Sequence, residues 1–366
     1  MRKLKFGLCV WNIWGDEIID RPDNIDETIT ATMVHWLKAN TNIDQIYQFQ
    51  RLQGQFPRLF QGDHAVLRKK ARGAMLDVHD MKIAYPELDY LFVRWRWDLG
   101  VENDARLVYQ TWALEHYLPT STRIFIWDDD FTMTTAEREE LSGYPNVTFV
   151  EISEEARSSN NNHVYLPYPL ILDRELATSR VLSRSGTDNG DHIDDNMLVA
   201  YVGNNYKREE YIKAYLAETA ACHPHRMHMY GNWLKYDNKI REKYPNICFH
   251  PKVNKSMCSW IYQHSHVVPM LAKEVYFQRG HITPRLYEAV MSGGIPVGFT
   301  EFKNSENYFA LKANNAEEFV DIVEYVSRLN KDERLKLLND QLDMLIENKI
   351  FDTEEFFRCL GINKQL

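Results

Sequence analysis

Cysteine is scarce in this 366-residue chain. Cys9, Cys222, Cys248, Cys258 and Cys359 are odd in number and widely spaced, and no C-x-x-C occurs. That usage suits a reducing compartment, without disulfides or a zinc knuckle. H-E-x-x-H is missing as well, although His223, His225 and His228 lie close together. A structural metal site is therefore not expected. No apolar run reaches the ~18 residues that a membrane span needs. Gly15-Asp16-Glu17 ends the first apolar stretch too early for a signal peptide. The expectation is a soluble, cytoplasmic protein with no membrane partner. Positive charge is not in excess either: 43 Lys+Arg face 52 Asp+Glu, for a net charge of −9. This argues against a protein that coats nucleic acid non-specifically, but leaves room for a local basic patch. Walker A and G-x-G-x-x-G loops are both missing, and no repeat of solenoid period is present.

What remains is a globular composition, 44% hydrophobic and 26% charged, with 13% aromatic residues. The length suggests two domains. Short apolar runs alternate with helical patterns, which predicts α/β domains with mostly parallel sheets. Strands are expected at 3–11, 88–97, 123–127 and 146–152, with a helix over 24–38. Residues 174–196 are polar and rich in Gly, Asp and Ser, which reads as a linker or mobile loop. The rhythm then restarts. Strands are expected at 197–202, 226–230, 247–250, 266–271 and 295–299, and helices at 209–219, 285–291 and from 316 almost to the end. The expected division is an N-terminal domain over 1–173, a linker over 174–196, a C-terminal domain over 197–350 and a last helix over 351–366 returning to the N-terminal domain, with the C-terminal helices packing back on that domain. Two Rossmann-like domains facing a cleft are implied, with ligands at the carboxyl ends of strands.

Three strand ends carry chemistry. Arg123-Ile-Phe-Ile-Trp-Asp-Asp-Asp130 places three carboxylates directly after an apolar strand. Crowded acids raise one another's pKa, which suits a general base or a metal site, and equally a capped turn. Val202-Gly-Asn-Asn-Tyr-Lys-Arg208 joins a strand to a helix. Gly203 permits close backbone approach, and Lys207 and Arg208 add the charge to hold a diphosphate. A plain turn with a solvated basic pair would look the same. In His281-Ile-Thr-Pro-Arg-Leu-Tyr-Glu288, Arg285 and Glu288 share a helix face before Gly293-Gly294. The glutamate suits two ribose hydroxyls and the arginine a phosphate, or the two form a surface ion pair. His250, in Asn246-Ile-Cys-Phe-His-Pro-Lys-Val253, could frame a base. Residues 51–96 hold nine Lys or Arg against five Asp or Glu. Within them Arg68, Lys69, Lys70 and Arg72 form a compact basic run, and Arg94-Trp-Arg96-Trp interleaves aromatics with arginine. Such a patch can neutralise phosphates and stack a base, or be a solvated helix beside core tryptophans.

In order, the C-terminal half shows a strand, a Gly loop with basic residues, a helix and a strand ending Y-G-N. An F-x-x-K loop and I-T-x-R-L-Y-E-A-V-M-S follow. This series, over about 197–350, resembles the T-even phage DNA β-glucosyltransferases, two-domain enzymes of the GT-B type. That family transfers glucose from UDP-glucose to 5-hydroxymethylcytosine in duplex DNA, with inversion. The resemblance implies that Arg285 and Arg208 meet the diphosphate, with Lys207 in place of a second loop arginine, alongside Gly203 and Asn204. It implies Glu288 on the ribose, Val253 on the uracil, Asp128 as catalytic base and Glu27 near the sugar and acceptor. Asp129 or Asp130 could take the base role instead. It further implies a UDP-sugar donor (UDP-glucose or a UDP-pentose), duplex DNA with a hydroxymethylated pyrimidine as partner, and a monomer in the host cytoplasm. A divalent metal, Mg or Mn, could assist the leaving group. The rival expectations are a GT-B enzyme acting on a glycan or lipid-linked sugar, and a non-catalytic nucleotide- or DNA-binding module.

Overall fold

The computed structural model describes residues 3–9, 25–49, 76–78, 86–95, 110, 113–153, 163–183 and 197–364. The chain forms two compact units, Met1–Leu170 with Thr353–Leu366, and Ile171–Asp352.

The first unit contains β1 (Leu4–Cys9), α1 (Ile25–Asn40), β2 (Ile43–Phe49), β3 (Leu76–Val78), β4 (Tyr90–Arg94), β5 (Arg123–Trp127), α2 (Thr135–Ser142), β6 (Val147–Glu151) and β7 (His163–Tyr165). Its strands pair in the order β3-β2-β1-β4-β5-β6-β7, and every pairing is parallel. A parallel sheet is covered on both faces, so its strands read as unbroken apolar runs. Tyr90-Leu-Phe-Val-Arg94 and Arg123-Ile-Phe-Ile-Trp127 are such runs. Alternate residues go to opposite faces. Leu91, Val93, Ile124 and Ile126 join one cluster with Tyr117, Leu141 and Phe149. Phe92 and Trp127 pack together from the other side of those strands, at 6.0 Å. α2 starts with a capping box in which Thr134 and Glu137 satisfy each other's backbone N–H.

The second unit contains α3 (Arg174–Leu182), β8 (Val199–Val202), α4 (Glu209–Tyr211) and α5 (Ala217–Cys222), the last two joined by a π turn at Ile212–Leu216. Next come β9 (Met227–Tyr230), α6 (Trp233–Tyr236), α7 (Ile240–Lys243), β10 (Ile247–His250), α8 (Lys255–His264) and β11 (Val268–Pro269). The unit closes with α9 (Glu274–Arg279), α10 (Arg285–Met291), β12 (Pro296–Phe299), β13 (Leu311–Ala313), α11 (Ala316–Arg328) and α12 (Lys331–Glu347). Two three-stranded parallel sheets, β10-β9-β8 and β11-β12-β13, are linked by a parallel bridge between Val199 and Val267. Taken across that bridge the order is β10-β9-β8-β11-β12-β13. Both units therefore follow the doubly wound progression, in which strand order reverses between the first and fourth strands and leaves a crevice at their carboxyl ends.

Two expectations change. Residues 174–182 are not linker. Asp173 caps α3 by accepting from Leu176 N–H, and Arg174 reaches Asn339 and Asp343 on α12. The segment looked loop-like because the helix buries only Ala177 and Val181. The units divide at Leu170/Ile171 and Asp352/Thr353, and residues 184–196 lie outside the described part. Of the C-terminal helices, only α13 (Thr353–Cys359) joins the first unit. There Phe357 stacks on Trp36 of α1 at 4.4 Å and Phe356 meets Phe92 edge-on. α11 and α12 stay in the second unit.

Candidate functional site

The carboxyl ends of β8, β9 and β10 are drawn tightly together. Gly203 N–H donates to Tyr230 O, and Gly231 N–H to His250 O. The two glycines lie against each other: a Cβ on Gly231, whose φ is +150°, would sit 2.3 Å from Gly203 O. A Cβ on Gly203 would sit 2.6 Å from an Arg285 Nη. Neither position has room for a side chain. Asn204 and Asn232 lock the two loops, each accepting a backbone N–H from the other loop. The Asn204 side chain therefore shapes the loop.

Two arginines converge on this cradle. Arg285, at the start of α10, donates from Nε to Val202 O at 2.8 Å and from Nη1 to Leu271 O at 3.1 Å. It thus spans the ends of the first and fourth strands of its unit, and it lies over the Tyr201 ring. Arg208 is 5% exposed, donates from Nη1 to Asn204 O, and has a buried Nε without a partner. Burial lowers its pKa, and the nearby Arg285 cation lowers it further. Neither guanidinium has an ion pair among the described residues; both are held by neutral groups. Lys207 reaches positive φ, 56°, in turning the chain so that Arg208 goes inward while Lys207 stays exposed. A non-glycine residue in that region is strained and marks a loop shaped for a purpose. Two adjacent cations with spare N–H donors and, among the described residues, no carboxylate bonded to them have the chemistry to bind an anion.

Glu288 lies one turn along α10, within electrostatic reach of Arg285. Beside the cradle, Tyr230 stacks on His250 at 4.4 Å. The His250 ring is also parallel to that of His228, with Nε2 to Nδ1 at 3.0 Å. Burial, then His228 and Arg241, lower the His250 pKa. Val253 is half-buried in the turn before α8, which Asn254 caps.

In the first unit the expected carboxylates separate into distinct environments. Asp128 is 3% exposed; one oxygen accepts from Thr132 N–H at 2.9 Å and the other from Met133 N–H at 2.8 Å. Burial raises its pKa, the two N–H bonds oppose the rise, and the Asp129 charge adds to it. Asp129 is bound by Arg94 through Nε, at 3.0 Å, and Nη2. Asp130 is the most exposed of the three. A base must be free to take a proton, and the charge-paired Asp129 is the least suited.

Arg94 departs from expectation. It is 6% exposed, bound to Asp129 and set over Trp127, so it is not presented to a DNA backbone. The β strand carries it into the sheet interior on the face of Phe92. Arg68, Lys69, Lys70, Arg72 and Arg96 lie outside the described residues, as does the Glu27 side chain, whose backbone is in α1. Sequence reasoning missed Asn232, Tyr201, Tyr230 and Gly231 as parts of the cradle; the Y-G-N run was the available signal. Among the described residues no three His, Cys, Asp or Glu side chains are placed to share a metal ion.

These two doubly wound units define the GT-B glycosyltransferase fold. No protein-family profile and no curated protein matches the sequence. Solved structures do. A mutant of the T4 phage BGT in complex with UDP-glucose has a TM-score of 0.59 at 14% identity, over 98% of this chain and 99% of that one. OtsA in its apo form has a TM-score of 0.62 at 10% identity, over the whole of both chains. An α-glucosyltransferase in complex with UDP and a 13-mer DNA containing a HMU base has a TM-score of 0.57 at 10% identity, over 98% of this chain and 99% of that one.

Proposed function

We propose that the protein is an inverting glycosyltransferase. It would move a sugar from a UDP-sugar to the hydroxymethyl group of a modified pyrimidine, 5-hydroxymethylcytosine, in duplex DNA. The observation that carries this reading is the pair Arg208 and Arg285, two guanidiniums held by neutral groups at the glycine cradle. A nucleoside diphosphate would supply their counter-charge. Glu288 would accept from the ribose hydroxyls, and the ring stack of Tyr230 and His250 together with Val253 would frame the base. UDP or UDP-glucose bound to two similar folds supports that donor.

Arg208 and Arg285 would take up the charge that grows on the departing diphosphate, and Lys207 would add to it from the loop. Their existing bonds to main-chain carbonyls fix the guanidiniums beforehand, so little reorganisation accompanies bond breaking. Asp128 would accept the proton of the attacking hydroxyl, for which a raised pKa suits a carboxylate. One displacement by that oxygen inverts the anomeric carbon.

The acceptor reading is supported by the similar α-glucosyltransferase bound to DNA containing a HMU base. A trehalose-6-phosphate synthase is also among the similar folds, with a TM-score of 0.58 at 10% identity, and it favours a second reading, transfer to a sugar acceptor. One experiment decides. The protein is incubated with UDP-glucose, a UDP-pentose and GDP-sugars, together with duplex DNA containing hydroxymethylcytosine or hydroxymethyluracil, or with sugar phosphates. A hexose or pentose mass gain on hydroxymethylcytosine supports the proposal. Transfer only to a sugar supports the second reading, and no transfer from any donor rejects both.

A further inference from the structure

Asp128 is not an isolated carboxylate. It lies between two ion pairs at the carboxyl ends of β4, β5 and β6. On one side Arg94, the last residue of β4, holds Asp129. On the other Arg138 of α2 holds Glu151, the last residue of β6, at 3.1 Å. Asp128, Asp129, Glu151 and Arg94 are each less than 9% exposed, and Arg138 is 25% exposed. The group therefore contains three carboxylates and two guanidiniums. Asp129 and Glu151 each have a cation bonded to them. Asp128 accepts from the N–H groups of Thr132 and Met133 and, at 3.4 Å, from the Thr132 hydroxyl, and has no ion pair among the described residues.

We propose that Arg94 and Arg138 are positioning residues. By pairing with Asp129 and Glu151 they leave Asp128, among the described residues of this buried network, as the carboxylate without an ion-paired cation, and so set the pH at which it takes a proton. This rests on the reading of Asp128 as the base, although the network can be tested without it. Among the described residues, the charged groups that act on Asp128 are Asp129 on its own turn and Arg138 from α2. Arg94 from β4 acts through Asp129, and Glu151 from β6 through Arg138.

The signs follow from charge. Losing the Asp129 anion eases ionisation of Asp128 and moves its titration to lower pH. Losing either cation moves it to higher pH. A purely structural role would not make the two partners of one ion pair act in opposite directions.

The test is a carboxyl carbon-13 NMR titration of the whole chain, with the Asp128 signal assigned by its loss in Asp128→Asn. Asp129→Asn should lower the midpoint by about one pH unit, while Arg94→Gln and Arg138→Gln should each raise it by a similar amount. Arg138→Gln/Glu151→Gln leaves no charge of that pair unmatched and keeps the test standing where a single variant does not fold. It too should raise the midpoint, because Arg138 acts directly on Asp128. Midpoints that stay in place, or that move the same way in Asp129→Asn and Arg94→Gln, overturn the proposal. The acid limb of transfer from UDP-glucose to hydroxymethylcytosine DNA should move with the midpoints. Shifted midpoints with transfer that survives Asp128→Asn would instead overturn Asp128 as the base and leave the network intact.

Discussion

The two units share a strand order but present opposite charge at the ends of their strands. In the second unit the crevice holds two guanidiniums fixed by carbonyls, with glycines where side chains would block approach. In the first unit the corresponding ends hold three buried carboxylates against two guanidiniums. Under the proposed function, one scaffold serves an anion in one copy and a proton in the other. The difference comes from a few residues after the strands, because the sheet only sets where those residues stand.

Variants that act on one unit alone break this comparison most sharply. Asp128→Asn should lower kcat for sugar transfer about a thousandfold, or ~4 kcal/mol of barrier, in a steady-state assay. Gly231→Ala attacks the other unit. Its φ and the contact with Gly203 O admit no methyl, so a thermal melt should show a loss of about 2–3 kcal/mol. Glu288→Ala should weaken donor binding about tenfold, or ~1.4 kcal/mol, by calorimetry. An unchanged affinity would reject the ribose assignment. The smallest effect belongs to Asp173→Ala, which removes the α3 cap and should cost about 1 kcal/mol in chemical denaturation, with kcat unchanged.

The second unit was more legible in the sequence than the first. Arg285–Met291 and Ile247–His250 were expected over the ranges observed, because glycines, prolines and apolar runs mark them plainly. Arg123–Trp127 was equally clear. β2 was not anticipated, since Gln45 and Gln48 interrupt its apolar pattern, and α2 buries only Leu141. α3 was read as linker for the same reason. At the site, residue types and order located Gly203, Arg208 and Arg285. They could not separate the three aspartates, because that separation comes from Arg94, 35 residues away on the neighbouring strand. The basic patch illustrates the opposite error: in Arg94-Trp-Arg96-Trp, strand alternation puts Arg94 into the interior, which composition alone conceals.

The division of labour between the units is tested most directly by calorimetric titration of UDP into wild type, Arg285→Met and Asp128→Asn. Arg285→Met should weaken UDP about thirtyfold or more, or ~2 kcal/mol for its charged hydrogen bonds, while Asp128→Asn should bind within about twofold of wild type. UDP affinity untouched by Arg285→Met, or lost equally in both variants, would contradict the account.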